Sequence, residues 1–281
     1  MLIEIQSTQE ALDTLYTKGS IPLDEKLSTN QCVLLYTGNQ SALCIYREGS
    51  LHKANGLEKE LQGIKGKDAR QKLMISLLVD DKIPLVVATG RAGTGKTLLA
   101  VAYALSQYTK MNKDIILIKP SVFVGGKSQV LGILPGTLEE KFEAVMASYM
   151  VHFRALLGQR TQEMVYDMTD KGKLQILPIE TARGMNLANA VVIVDEAQNL
   201  DIHSLKTLIS RVASSSKLIL LGDLKQVDIA NTKYNETGLF KLINSETFTN
   251  SNLTANIQLT AAYRSPLCDF AEEWGDEMEN E

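Results

Sequence analysis

Gly90-Arg91-Ala92-Gly93-Thr94-Gly95-Lys96-Thr97 follows the apolar run Leu85-Val86-Val87-Ala88-Thr89 and precedes Leu98-Leu99-Ala100-Val101-Ala102. A buried strand, a glycine-rich loop closed by Gly-Lys-Thr, and then a helix is the layout of a phosphate-binding loop. Glycines let backbone N–H groups turn inward around a triphosphate without Cβ clashes. The helix that starts near Gly95 points its positive end at the phosphates. Lys96 is placed to reach the β- and γ-phosphates and act in catalysis, and the Thr97 hydroxyl to hold Mg²⁺. Gly90, Arg91, Ala92, Gly93, Thr94, Gly95, Lys96, Thr97 and Leu98 are therefore the candidate nucleotide-binding positions.

The rest of the chain sets bounds on that reading. Its 281 residues suit one large domain, or one domain with a small appendage, and a composition 44% hydrophobic and 22% charged is that of an ordinary soluble protein. No apolar run approaches a membrane span, and Met1-Leu2-Ile3-Glu4-Ile5-Gln6 lacks the apolar core of a signal peptide. Cys32, Cys44 and Cys268 have no metal-ligand spacing, and their odd number fits free thiols in a reducing, cytoplasmic compartment. The formal net charge of −4 argues against a broad nucleic-acid-binding face, though not against a local basic channel.

Two unequal parts follow from the pattern, residues 1–65 and 66–281. In the first, Gln31–Tyr36 and Ser41–Tyr46 flank Thr37-Gly38-Asn39-Gln40 and read as a β-hairpin. Gly63-Ile64-Lys65-Gly66-Lys67 reads as a linker. In the second part, strand signals at Leu85–Thr89, Ile115–Ile118, Leu174–Leu177, Val191–Val194, Leu218–Leu221 and Ile257–Thr260 alternate with helical ones. The helices are expected at Lys72–Asp80, Thr97–Tyr108, Leu138–Leu157, Ile202–Ala213 and Ser265–Glu277. Near-continuous apolar strands between helices predict a three-layer α/β sandwich with a mainly parallel sheet.

Val191-Val192-Ile193-Val194-Asp195-Glu196-Ala197-Gln198 carries the second chemical signal. A buried strand delivers Asp195 to its C-terminal end, where open α/β sheets place ligands. Asp195 is a Mg²⁺ candidate, and Glu196 is the candidate that orients or deprotonates the attacking water. A small-molecule kinase has no need of that second carboxylate. The third signal is Leu218-Ile219-Leu220-Leu221-Gly222-Asp223, with Gln226 just beyond. A polar strand tip of this kind can sense a γ-phosphate. Arg264, Arg211 and Arg183 are candidate charge-stabilising arginines, the first two as catalytic residues. Gln71 can read an adenine edge, since its amide both donates and accepts. Lys119, Phe123, Lys127 and Lys141, with Arg183, form a candidate nucleic-acid segment that combines charge with a stacking surface. A lid over the nucleotide and a subunit contact are open alternatives for it.

These motifs, in this order, resemble the PhoH family of P-loop ATPases, related to superfamily 1 helicases. The matching residues are Gln71, Gly90–Thr97, Lys119-Pro120, Gly132-Ile133-Leu134-Pro135-Gly136, Glu140-Lys141, Arg183-Gly184, Asp195-Glu196-Ala197-Gln198-Asn199-Leu200, Gly222-Asp223, Gln226 and Arg264. The resemblance spans about 66–275. It implies a RecA-like core, hydrolysis of ATP with Mg²⁺, action on RNA or single-stranded DNA, and assembly as a homo-oligomer, such as a hexameric ring. In a ring, Arg264 or Arg211 reaches a neighbour's nucleotide. Lys119-Pro120 stands where the family often has Arg-Pro, which keeps the charge and loses the bidentate fork. The N-terminal hairpin resembles the segment that joins a PIN nuclease to the PhoH module in longer relatives. With no room for a PIN domain before residue 31, nuclease activity is not expected. The alternative to a motor is a nucleotide-gated RNA-binding or assembly module without unwinding.

Overall fold

The structure, a computed structural model, describes residues 2–120, 138–226 and 234–263, with Leu267, Phe270 and Trp274, and only the backbone for 138–145. The N-terminal part holds β1 (Ile3–Gln6), α1 (Gln9–Lys18), β2 (Ser20–Pro22), β3 (Cys32–Thr37), β4 (Gln40–Arg47) and β5 (Ser50–Lys53). Its sheet runs β1-β3-β4-β5-β2. The expected hairpin is β3–β4, with Tyr36 opposite Ser41, and β1 joins β3 in parallel. The other members had no sequence signal, because β1, β2 and β5 are only three or four residues long.

The larger part holds α2 (Ala69–Val79), β6 (Leu85–Thr89), α3 (Lys96–Met111), β7 (Asp114–Ile118), α4 (Leu138–Leu157) and α5 (Thr161–Asp170). It continues with β8 (Leu174–Leu177), α6 (Ile179–Ala182), β9 (Ala190–Val194), α7 (Ile202–Ile209), β10 (Lys217–Gly222), α8 (Gly238–Ile243), α9 (Glu246–Thr249) and β11 (Thr254–Gln258). These six strands form one sheet in the order β11-β6-β10-β9-β7-β8, and every pairing is parallel.

Period-two alternation divides the strand side chains between two apolar layers. Val86, Ala88, Ile115, Leu117, Val191, Ile193, Ile219 and Leu221 meet α2, α3 and α4 on one face. Leu85, Val87, Ile116, Ile118, Val192, Val194, Leu218 and Leu220 meet α6, α7, α8 and α9 on the other. Both faces being covered accounts for the unbroken apolar runs in the sequence. This is the RecA-like three-layer sandwich, with a small mixed sheet added at the N-terminus.

Two element ends and the linker depart from the sequence expectation for local reasons. The last strand is Thr254–Gln258, earlier than Ile257–Thr260, because Leu85 N–H already bonds the Leu253 carbonyl and Thr254 sets the register. The helix α7 stops at Ile209 and not Ala213, because Arg211 and Ala213 pair with both sides of Leu187. The supposed linker is packed: Leu61 and Ile64 form a bridge, and a Cβ on Gly66 would lie 2.6 Å from the Lys72 nitrogen. Of the Ser265–Glu277 helix, only Leu267, Phe270 and Trp274 are described, all helical.

The two sheets are fastened through polar contacts around Asn30. Its amide donates to the Asn252 and Thr254 carbonyls at 3.1 and 2.9 Å, while Arg47 Nε donates to its oxygen at 2.6 Å. Arg47 also pairs with Asp80 at 2.6 Å, which reaches the end of α2. Cys32, Ile45, Ala54 and Leu61 join the α2–α3 apolar layer, while Leu12, Leu15, Val33, Cys44 and Leu51 form a separate N-terminal core. Among the described residues no helix is long and apolar enough to cross a membrane.

Candidate nucleotide site

The strand order decides which tips stand together. The strand β9 that carries Asp195 is not the neighbour of the loop-bearing β6; β10 lies between them. The Gly222-Asp223 tip therefore sits between the phosphate loop and the Asp195-Glu196 pair. Gly90 N–H donates to the Gly222 carbonyl at 3.1 Å, and Asp195 N–H to the Ile118 carbonyl at 3.0 Å, which ties adjacent tips together.

The loop has the backbone that its glycines allow. Gly90, Gly93 and Gly95 all have positive φ, at 141°, 82° and 90°. At Gly90 a Cβ would also lie 2.1 Å from the Leu259 carbonyl oxygen, so no other residue fits. Gly95 is the N-cap of α3 and gives no side-chain cap, which leaves first-turn N–H groups of Lys96, Thr97 and Leu98 for an anion. Lys96 Nζ donates to the Gly90 carbonyl and, at 2.9 Å, to that of Arg91. The ammonium thus bridges the mouth of the loop. Thr94 is buried, with its hydroxyl on the Arg91 carbonyl at 2.9 Å, while Arg91 and Gly93 are half-buried and Ala92 is exposed.

Gln71 comes to the loop from α2, but not as a free adenine reader. Its Nε2 donates to the Thr94 carbonyl at 3.0 Å and its Oε1 accepts from Lys67 N–H at 2.9 Å. The side chain is 5% exposed, so in this state the amide braces the loop from behind. Tyr263 braces it from the other side. Its N–H donates to the Gly93 carbonyl at 3.1 Å and its hydroxyl to Asp68 at 2.7 Å. Lys67 Nζ lies 4.8 Å from the Tyr263 ring centre.

Thr97 Oγ1 donates to Asp195 Oδ2 at 3.4 Å, so the two candidate Mg²⁺ ligands stand side by side. Burial raises the Asp195 pKa above the ordinary carboxylate value, and the Glu196 charge raises it further; Glu196 N–H, Lys119 and Lys96 pull it back. A buried carboxylate in this position is suited to a cation. Among the described residues no group of three or more His, Cys, Asp and Glu could hold a metal ion. Mg²⁺ in this site would thus rely on nucleotide phosphates for several of its ligands, as it does in phosphate-transfer sites generally.

Glu196 has left-handed backbone, φ 56°, at the turn after β9. That is a strained position for a glutamate, of the kind concentrated at functional sites. Gln198, to which the sequence motif alone assigns no role, links the tips. Its Nε2 donates to Glu196 Oε2 and to the Gln226 carbonyl, both at 2.8 Å, and its Oε1 accepts from Asp223 N–H at 3.1 Å. The side chain is fully buried, and its Oε1 would stand 2.8 Å from a Cβ at Gly222. Asp223 is buried and Gln226 exposed. The signal available in sequence was the spacing Glu196–Gln198, which a turn brings to one side.

The other candidates separate. Lys119 is half-buried and its charge acts on Asp195. Arg183 follows α6 and bonds Ser204 Oγ, in the first turn of α7, while its Nε–H is buried without a partner among the described residues. Arg211 stands where the sequence places it, between α7 and β10. It is exposed, and its carbonyl accepts from Leu187 N–H just before β9 begins. That is the edge where the strands start, opposite the phosphate loop, so Arg211 cannot act on its own chain's nucleotide. Arg264, Phe123 and Lys127 lie outside the described residues, as does the Lys141 side chain.

Comparison with known proteins shows the family. The "Protein PhoH2" of Thermobispora bispora is 34% identical over 278 residues, covering 97% of this chain. Those of Bacillus subtilis (strain 168) and Mycolicibacterium smegmatis are 30% and 29% identical, covering 95% and 99%. The chain spans 62% of the length of each of these relatives. A family model described as "PhoH-like protein" matches residues 63–273, which include both braces of the loop and all three strand tips, and the chain belongs to the PhoH family.

Proposed function

We propose that this chain is a Mg²⁺-dependent ATPase of the cytoplasm that works on RNA or single-stranded DNA as a homo-oligomer. The observation that carries the hydrolytic part is the joining of Thr97, Asp195, Glu196, Gln198 and Asp223 across three neighbouring strand tips. The phosphates would lie over the uncapped start of α3, with Lys96 turning from the loop carbonyls toward them. Thr97 and Asp195 would hold Mg²⁺, which supplies charge neutralisation at the transferred phosphate. Glu196 would orient and deprotonate water. Gln198 would report the state of the Asp223 tip to that carboxylate, because one amide bonds both.

The division at 65/66 belongs to the same reading. The N-terminal sheet, with its own core, is an appendage that stiffens β11 and α2 through Asn30 and Arg47. For the strand-binding part, Lys119 is the described residue in support: it follows β7 directly and its charge reaches Asp195.

The decisive measurement is ATP turnover with and without short RNA and single-stranded DNA at stated salt, beside a strand-displacement assay. Stimulation of severalfold, falling as salt rises, supports the reading. Turnover indifferent to every nucleic acid tried sinks its nucleic-acid half. ATP-dependent RNA binding without displacement favours the gated-module alternative.

A further inference from the structure

Tyr149, on α4, is 1% exposed, and its hydroxyl is buried without a hydrogen-bond partner among the described residues. A buried tyrosine O–H almost always finds one. Its ring lies in the apolar layer that also holds Val101, Leu105, Val191 and Ile193. On β9 the residues of that face are Val191 and Ile193, and the period of two puts Asp195 next in the row. On β7 the same face carries Ile115 and Leu117, and Lys119 comes next. Tyr149 and the Asp195 carboxylate thus share one side of the sheet, the carboxylate beside the start of α3 at Thr97. The electrostatics agree: burial and then the charges of Asp195 and Glu196 hold the proton on the Tyr149 oxygen, well above the usual phenol range. The group is therefore a lasting donor, surrounded by apolar side chains and influenced by two carboxylates.

We propose that Tyr149 is a positioning residue for hydrolysis: its O–H is the donor held for the Asp195 carboxylate, which it fixes once a nucleotide closes the site. Asp195 already accepts from Glu196 N–H at 3.1 Å and from Thr97 at 3.4 Å. A third donor fixes the carboxylate plane, and with it the adjoining Glu196 backbone. Groups that orient a metal-binding carboxylate from behind act on rate without touching the substrate. The unsatisfied hydroxyl is then a deliberate loss of stability at a working site. This rests on the ATPase reading above.

The test is Tyr149→Phe in the full chain, which keeps the ring and removes only the hydroxyl. We expect kcat at saturating ATP and Mg²⁺ to fall about tenfold. Affinity for a fluorescent ATP analogue should stay within about twofold of wild type. The Tm without nucleotide should hold or rise by about 2–4 °C, since an unpaired buried hydroxyl is gone. A kcat within about twofold of wild type overturns the proposal, as do parallel losses of kcat and affinity. A fall in Tm also overturns it, because the hydroxyl then has a structural partner. Wild-type protein that hydrolyses nothing sinks the ATPase reading and this inference together, whereas an active wild type beside an unaffected variant sinks the inference alone.

Discussion

Where the parallel strands begin, Lys217 Nζ donates to the Leu77, Leu78 and Asp80 carbonyls at 3.2, 2.6 and 2.8 Å; where they end, Lys96 Nζ bonds two loop carbonyls beside an uncapped helix. Both lysines bond carbonyls at one edge of the same sheet, yet they do different work. Lys217 is 3% exposed and completes the end of α2 permanently. Around it, Ser215 and Ser216 cap the Asn189 and Ala190 N–H groups at 2.8 and 2.9 Å. At the other edge stand a strained Glu196, a buried Asp195 with a raised pKa and a Tyr149 hydroxyl without a partner among the described residues. The starting edge satisfies its own polar groups, while at the finishing edge the start of α3 has no side-chain cap and, among the described residues, the Tyr149 hydroxyl has no partner. The contrast separates stability from function within one layer of residues.

The sharpest way to break that contrast is Glu196→Gln. The amide keeps shape and can still bond Gln198, but it cannot accept a proton. Steady-state turnover should fall by about 10²–10³-fold, with nucleotide binding retained. A variant that turns over like wild type removes Glu196 from the hydrolytic role and leaves the strained turn without explanation.

Lys217→Met tests the starting edge. It leaves three buried carbonyls without a donor, and stability should drop by about 2 kcal/mol in chemical denaturation while turnover per folded molecule is unchanged. The pH dependence sharpens it. Burial lowers the Lys217 pKa from 10.5 to about 8. Between those values the unfolded chain binds more protons than the folded one, so Lys217 makes stability rise with pH across that window. Below about 8 both states are protonated and the charge-burial penalty is at full size. The wild-type advantage over Lys217→Met should therefore widen from pH 8 toward pH 10.5, as read from denaturation midpoints. A constant gap would mean that the folded lysine titrates normally.

The same contrast explains how far the sequence could be read. Buried strands write themselves as apolar runs, so five of the six parallel strands were legible to within a residue, and so was the loop that joins β6 to α3. Asp195 and Asp223 were legible because a strand tip is a fixed place once the strand is known. The functions of Gln71, Gln198 and Tyr149 were not. Each depends on neighbours distant in sequence: Gln71 on Thr94, Gln198 on Asp223 and Gln226, Tyr149 on the apolar layer it shares with Val191 and Ile193. The β11 start was missed because an edge strand buries little and its register comes from Leu85, not from its own composition. The N-terminal strands β1, β2 and β5 have no signal because three or four residues hold no period.

Arg211 is where the expected effect is smallest and the comparison most exposed. Its helix runs from the end of β9 back to the start of β10, so an arginine at its close stands on the stability edge. Its side chain is exposed there, with the phosphate loop across the full length of the sheet. Arg211→Ala should change stability by no more than about 0.5 kcal/mol, and nucleotide affinity should not move. Turnover in dilute protein should also match wild type. A loss of turnover that appears only as protein concentration rises would have a single geometric reading: Arg211 reaches the finishing edge of another copy. In that case the starting edge of one chain would complete the functional edge of the next, and the separation between the two edges would hold within a chain but not between chains.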